Sequence, residues 1–271
     1  MLSKFKKIIS VIRYLIKEPS LINKILEDDN ANKISCDKEF PQFKNGLPEI
    51  SFEKFLASNC EVRIYPYTFL DGGSLLTDLA LLKLVCEKVK ANTYFEIGTW
   101  RGESAVCVAE HVQQCYTLNL SNEEMQKNGW SKDYIQLHGH YSKNTPNITH
   151  LFGDSSKFDF SPFLKKMDVI FVDGDHRLDA VIQDSKTATE LLRNKDSVII
   201  WHDYKSSPET IRWEVLRGIL HGTNKEMHGS LFGVQNTLCA IYFPKEIQSH
   251  PLKYPSSPQH EFDITLKLKK D

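Results

Sequence analysis

From about residue 74 to residue 243 the chain alternates short β-rich runs with helical stretches, and this alternation limits the folds open to it more than any other feature. The spacing predicts a helix over 75–89, a strand over 93–97, a helix over about 103–111 and a strand over 115–120. A polar stretch bearing His and Tyr covers 126–147, followed by strands over 148–152 and 167–172. An amphipathic helix is expected over 177–193 and a strand over 197–201. Pro208 is placed to open a helix to about His221, and two last strands are expected near 231–235 and 237–243. Strands separated by helices of about 10–15 residues build βαβ units around a parallel sheet with right-handed crossovers. The expected class is therefore α/β: a doubly wound, mostly parallel seven-stranded sheet with a C-terminal antiparallel hairpin.

At 271 residues the chain has room for one large domain with an extension. The domain is expected over 71–245, with an N-terminal helical extension and connector over 1–70. An irregular tail over 246–271 carries Pro251, Pro255 and Pro258. Thirty-four basic against 35 acidic residues leave a net charge of -1, which speaks against a general nucleic-acid binder. No apolar run reaches the ~18 residues of a membrane span. Cys36, Cys60, Cys86, Cys107, Cys115 and Cys239 form no C-x-x-C pair and read as buried free thiols. Residues 1–25 resemble a signal peptide, but Arg13 and Lys17 interrupt the apolar stretch and no small-residue cleavage site follows. The segment reads as retained and the protein as cytoplasmic.

That same segment spaces Leu2, Phe5, Ile8, Ile9, Ile12, Leu15 and Ile16 on one helical face, among Lys4, Lys6, Lys7, Arg13 and Lys17. Such a helix packs on its own domain or on a partner subunit, building a homo-oligomer, or lies on a membrane surface. Pro19 can start a second short helix. Residues 30–50, rich in Asn, Lys, Pro and Gly, read as connector.

After the first strand comes Glu96-Ile97-Gly98-Thr99-Trp100-Arg101-Gly102-Glu103-Ser104. Glycines following a strand let backbone approach a ligand, and open parallel sheets bind ligands beyond the carboxyl ends of their strands. The G-x-G-x-x-G spacing of a dinucleotide site is absent. An acidic Glu96 suits a ligand carrying positive charge rather than a pyrophosphate.

The fourth strand ends in Asp173-Gly174-Asp175-His176 and the fifth in His202-Asp203-Tyr204. Neighbouring strands would bring Asp173 and Asp203 together, and paired carboxylates with open positions suit a hard divalent cation such as Mg²⁺. His202 and Asp203 can serve one ion only if the chain turns between them. His176, three residues beyond Asp173, is the natural general base at neutral pH. Asp175 reads as a helix cap. His138, His140, His221 and His228 read as surface or pocket-lining groups.

In order along the chain, FEIGTWRGES, CYTLNLS, LFGDSSKFDF, FVDGDH and IIWHDY resemble the motifs of Rossmann-like class I S-adenosylmethionine-dependent methyltransferases. The closest likeness is to the bacterial small-molecule O-methyltransferases of the methyltransferase-24 type, over about 71–243. The resemblance implies S-adenosylmethionine as cofactor and methyl transfer to a hydroxyl of a small molecule, of sugar or phenolic type. It implies cofactor contacts from Glu96, Gly98, Thr99, Gly102, Ser104, Asp154, Ser155 and Asp173. It also implies metal ligation by Asp173, Asp203 and His202, with His176 as catalytic base. Asn119 stands where the family usually has an acidic residue for the ribose hydroxyls, so a charge-assisted grip is lost there. The stretch 126–147 and the helix bearing Trp213 are candidate walls of the acceptor pocket. A non-catalytic cofactor-binding module, or a nucleotide- or NAD-dependent enzyme on a similar sheet, are the competing readings.

Overall fold

A computed structural model describes residues 2–17, 29–56 and 61–269. The second helix expected at Pro19, and Cys60, lie outside the described residues. The helices are α1 (Leu2–Lys17), α2 (Asp29–Glu39), α3 (Leu76–Val89), α4 (Glu103–Ala109), α5 (Asn122–Lys127), α6 (Lys132–Gln136), α7 (Leu178–Leu191) and α8 (Trp213–Gly222). The strands are β1 (Glu49–Ile50), β2 (Thr93–Ile97), β3 (Gln114–Asn119), β4 (Ile148–Phe152), β5 (Val169–Val172) and β6 (Val198–Trp201). They continue with β7 (Lys205–Ser207), β8 (Thr210–Ile211), β9 (Leu231–Val234) and β10 (Ala240–Tyr242).

Eight strands form one sheet in the order β1-β9-β10-β6-β5-β2-β3-β4. From β4 to β6 every pairing is parallel, and β10 runs antiparallel to both β6 and β9. The seven expected strands are all present, including the closing hairpin. The eighth, β1, comes from the stretch expected to be connector and pairs parallel with β9, so the hairpin is not at the edge.

The central strands are buried on both faces because helices cover both, which is why they read as continuous apolar runs. Side chains alternate across the sheet. Tyr94, Cys115, Val169, Phe171, Val198, Ile200 and Ile241 pack with α3 and α4. Phe95, Ile97, Ile170, Val172, Ile199, Trp201 and Ala240 pack with α7 and α8. Residues 29–56 feed both layers, with Cys36, Phe43 and Leu47 on the α7–α8 side and Ile50, Phe52 and Phe55 on the α3–α4 side. The five cysteines among the described residues are buried and free.

Three local expectations give way. Pro208 sits in the turn of the β7–β8 hairpin, and the helix begins only at Trp213. Its first amides, of Trp213 and Glu214, donate to the Asp29 carboxylate at 2.8 and 2.9 Å. Asp175 does not cap α7: it accepts from the Arg177 amide two residues on, and Glu214 caps the helix through the Leu178 amide. Finally, the apolar face of α1 is left uncovered by its own domain, which leaves a partner subunit or a membrane surface of the expected alternatives. Ile8, Ile9, Val11, Ile12, Tyr14 and Ile16 are all exposed. Residues 244–269 are irregular, held by backbone hydrogen bonds between His250 and Glu49.

Candidate functional site

The register of the sheet puts the loop residues side by side. Ile97, Val172 and Trp201 are aligned partners at the carboxyl ends of β2, β5 and β6. The next residues, Gly98, Asp173 and His202, therefore emerge in a row. The ladder continues one step beyond the strands, with the Asp173 amide donating to Ile97 O and the His202 amide to Val172 O at 2.8 and 3.0 Å. Gly98, at φ +95°, lies so close to β5 that a Cβ would stand 2.0 Å from the Asp173 carbonyl oxygen. The glycine is needed for this approach and for the left-handed turn. Gly102, at φ +87°, starts α4 against Ser142, so its missing side chain admits protein rather than ligand.

Glu96 corrects the expectation that it faces a cationic ligand. Its carboxyl is fully buried on the α3–α4 side of the sheet and accepts from Tyr94 Oη at 2.9 Å and Thr99 Oγ1 at 3.3 Å, with Ser104 as a third partner. Burial pushes its pKa up to about 8 against the pull of those hydroxyls. Glu96, Thr99 and Ser104 thus tie the loop down from beneath. The segment 67–74 covers the loop from the other side: Arg101 donates to Asp71 O and Thr68 to Glu103, and Gly72 lies beside Trp100.

At the end of β3, Asn119 meets His138. His138 Nδ1 stands between the side-chain amide nitrogen of Asn119 and Thr99 O, 3.0 Å from the latter, and Nε2 faces the other way. Nε2 is buried without a partner among the described residues, and against the pull of the Thr99 carbonyl burial lowers the pKa of the imidazole. Trp100, Trp130 and Tyr134 surround it, Trp100 and Tyr134 with ring centroids 3.9 Å apart. The stretch 126–147 therefore walls the crevice at Asn119. Trp213 instead lies under Lys33 of α2.

Asp154 bonds the Ser156 amide and hydroxyl and the Lys157 ammonium within its own turn. Ser155 bonds Asp184, a buried carboxyl of α7 that desolvation raises to about 6. Sequence reasoning gave Asp184 no role, yet its Oδ2 would lie 3.2 Å from a Cβ at Gly174.

The centre of the site is Asp173, His202 and Asp203, which can each turn one ligand atom to a common point, all within 4.8 Å of one another. Asp203 has φ +57°; this is the turn that lets it and His202 face the same place. Arg212, returned by the β7–β8 hairpin, holds the other Asp203 oxygen at 3.1 Å. His202 Nδ1 lies 3.0 Å from Asp173 Oδ1 and 3.4 Å from Asp203 Oδ2 but has the alignment of a hydrogen bond with neither. Its Nε2 donates to Asp78 Oδ2 at 3.1 Å. Burial alone would lower the His202 pKa, but Asp173, Asp203 and Asp78 together raise it well above the usual value. Burial raises Asp173, which His202 partly offsets. Three carboxylates around one imidazole make a pocket that calls for a cation. A carboxylate on one ring nitrogen, with the other nitrogen turned toward two more carboxylates, is an arrangement in which a divalent ion would replace the imidazole proton and take that nitrogen as a ligand. The residues fit a divalent ion.

Asp78 was not foreseen, although one signal was present: a carboxylate just before the apolar run Leu79–Leu82 of the helix LTDLALLKLVCEKV. It is buried, and also accepts from the Leu75 and Leu238 amides at 2.7 and 2.8 Å. His176 lies in the exposed loop before α7, not on the helix, near Asp175 and Asp203. His221 pairs with Glu39, and His228 bonds Leu220 O.

Residues 95–204 match the family model of a methyltransferase domain, Methyltransf_24. No functionally curated protein matches the chain significantly. Among solved structures, the chain is similar to cofactor-bound Rv0187 from MTB, with 16% identity over 65% of this chain and 84% of that one, at a TM-score of 0.45. It is also similar to the O-methyltransferase from Bacillus cereus in complex with SAH, with 16% identity, 71% and 90% coverage and a TM-score of 0.42. A third is the O-methyltransferase TomG from Streptomyces achromogenes, with 14% identity, 65% and 83% coverage and a TM-score of 0.41. The match to a methyltransferase domain thus spans residues 95–204, the segment that carries the row of site residues from Gly98 to Asp203.

Proposed function

We propose that the chain transfers a methyl group from S-adenosylmethionine to a hydroxyl oxygen of a small molecule, with a divalent cation held by Asp173, His202 and Asp203. The observation that carries this reading is the row of Gly98, Asp173 and His202 at one end of the sheet, with the orphaned Nδ1 of His202 at its centre. S-adenosylmethionine supplies a sulfonium methyl that is already electrophilic, so the protein's task is to position and activate the acceptor. A divalent ion such as Mg²⁺, when bound, lowers the pKa of a coordinated substrate hydroxyl.

Each residue then has a job. The Gly98 turn holds the methionine end of the cofactor beside Asp173. Asn119 and the unpartnered Nε2 of His138 would face the ribose hydroxyls in place of the missing carboxylate. Asp154 and Ser155 line the adenine end. Asp78 holds Nε2 of His202 so that Nδ1 points at Asp173 and Asp203, where it would become a ligand once an ion displaces its proton, and Arg212 orients Asp203. His176, free in its loop, takes the hydroxyl proton. The catalytic unit is assigned to 71–245 and the place of action to the cytoplasm, in keeping with the free thiols. Besides the acceptor, the exposed α1 provides a surface for a membrane or a second copy.

The test is calorimetry with S-adenosylhomocysteine with and without Mg²⁺, together with methyl transfer from labelled S-adenosylmethionine to a panel of catechols and sugars. Cofactor binding, metal-dependent turnover and loss of turnover on chelation are expected. His176→Ala should retain cofactor binding and lose about 10²–10⁴-fold in turnover. Binding of NAD in place of S-adenosylhomocysteine would overturn the reading, and unchanged turnover would remove His176 from it.

A further inference from the structure

Helix α1 has a composition that only some partners can match. Its 16 residues, LSKFKKIISVIRYLIK, contain five basic side chains and no acidic one. On a helical projection Leu2, Phe5, Ile8, Ile9, Ile12, Leu15 and Ile16 occupy one arc, and Lys6, Lys7, Arg13 and Lys17 the opposite one. The apolar arc is not spent on the domain: Ile8, Ile12 and Ile16 are 55%, 51% and 74% exposed. Among the described residues no hydrogen bond or ion pair holds the side chains of residues 6–17 to the rest of the chain.

We infer that α1 docks in the plane of an anionic lipid surface and carries the methyltransferase domain to it. The helix is too short and too charged to span: 16 residues rise about 24 Å, and no described helix is long and apolar enough to cross a membrane. Lying flat, it buries the isoleucine arc at the boundary of headgroups and acyl chains, with its lysines among the headgroups and Tyr14 at the interface. Charge decides between the available occupants. Two copies of α1 packed through this face would bring five positive charges against five with no carboxylate to pair them. A nucleic acid would satisfy the lysines and leave the isoleucines in water. An anionic bilayer satisfies both arcs at once.

The experiment is flotation of the full-length protein with phosphatidylcholine vesicles, with and without phosphatidylglycerol, at low salt and at high salt. Binding is expected only to the phosphatidylglycerol vesicles, with release at high salt. Ile9→Glu with Ile12→Glu should abolish it while leaving the melting temperature and S-adenosylhomocysteine binding unchanged, since neither residue touches the domain core. Lys6→Gln with Arg13→Gln should weaken it by more than about tenfold, at roughly fivefold per charge. Equal binding to uncharged vesicles, or binding that survives the isoleucine substitutions, overturns the proposal. So does a dimer in light scattering that those substitutions dissolve, with no vesicle binding by the native chain.

Discussion

Asp78 settles what His202 can offer. With Nε2–H donated to Asp78, the imidazole presents Nδ1 to Asp173 and Asp203, and a cation between them would meet three converging ligands. Replacing such a supporting carboxylate typically costs 10–100-fold in metal affinity or activity. Asp78→Asn should show a loss of that size in a Mn²⁺ or Mg²⁺ titration, with S-adenosylhomocysteine still bound. A variant with native metal affinity would make Asp78 a purely structural group. A similar argument applies to His138: removing one neutral hydrogen-bond acceptor costs about 1 kcal/mol, so His138→Ala should weaken S-adenosylhomocysteine binding by roughly fivefold or more without changing the acceptor KM. Calorimetry checks this directly. Asp173 and Asp203 were legible because both follow apolar runs that end where a parallel sheet opens. Asp78 was not, and His138 was legible only as a surface or pocket-lining group, since the contacts of both depend on the packing of α3 and of 126–147.

At the scale of elements, the loop from β2 to α4 is anchored by a carboxyl that works in its protonated form. An unfolded glutamate titrates near 4.5, while Glu96 in the fold is raised to about 8. Between those values the native state keeps a proton that the unfolded chain has released, so stability falls as pH rises through this window. Glu96→Gln keeps the amide in place of the acid and removes the titration. Denaturant melts from pH 5 to pH 9 should therefore show the variant gaining on the native chain, by on the order of several kcal/mol across the window. Parallel curves would mean that the carboxyl is hydrated in solution. The strands β2 to β6 were readable because β-branched and aromatic runs buried on two faces have few other uses. The two-residue β1 and the β7–β8 hairpin are too short to display a period. Pro208 fits a turn as well as a helix start, and α2, DNANKISCDKE, buries only Cys36 and shows almost no apolar face.

At the scale of the molecule, the N-terminal segment closes the sheet and is pinned by charge. Lys205, fully buried, forms an ion pair with Glu49 of β1 and donates to Val234 O of β9 at 3.1 Å. Nearby, the Leu47 amide donates to Tyr204 Oη at 3.0 Å in the buried interior. Tyr204 and Lys205 directly follow the Asp203 turn, so the contact that seats β1 also fixes the strand leaving the metal ligands. A buried pair adds little net stability but is costly to break, because the surviving charge has no water and no partner. Lys205→Met alone should destabilise the fold by about 3–5 kcal/mol, and Glu49→Leu alone by a comparable amount. The double replacement should cost far less than their sum, since it leaves no unpaired charge. Chemical denaturation of the four species checks this, and additive losses would show that water reaches the pair. The same cycle read through metal affinity should show the single variants weakened, because a loosened β1 frees the segment on which Asp203 turns.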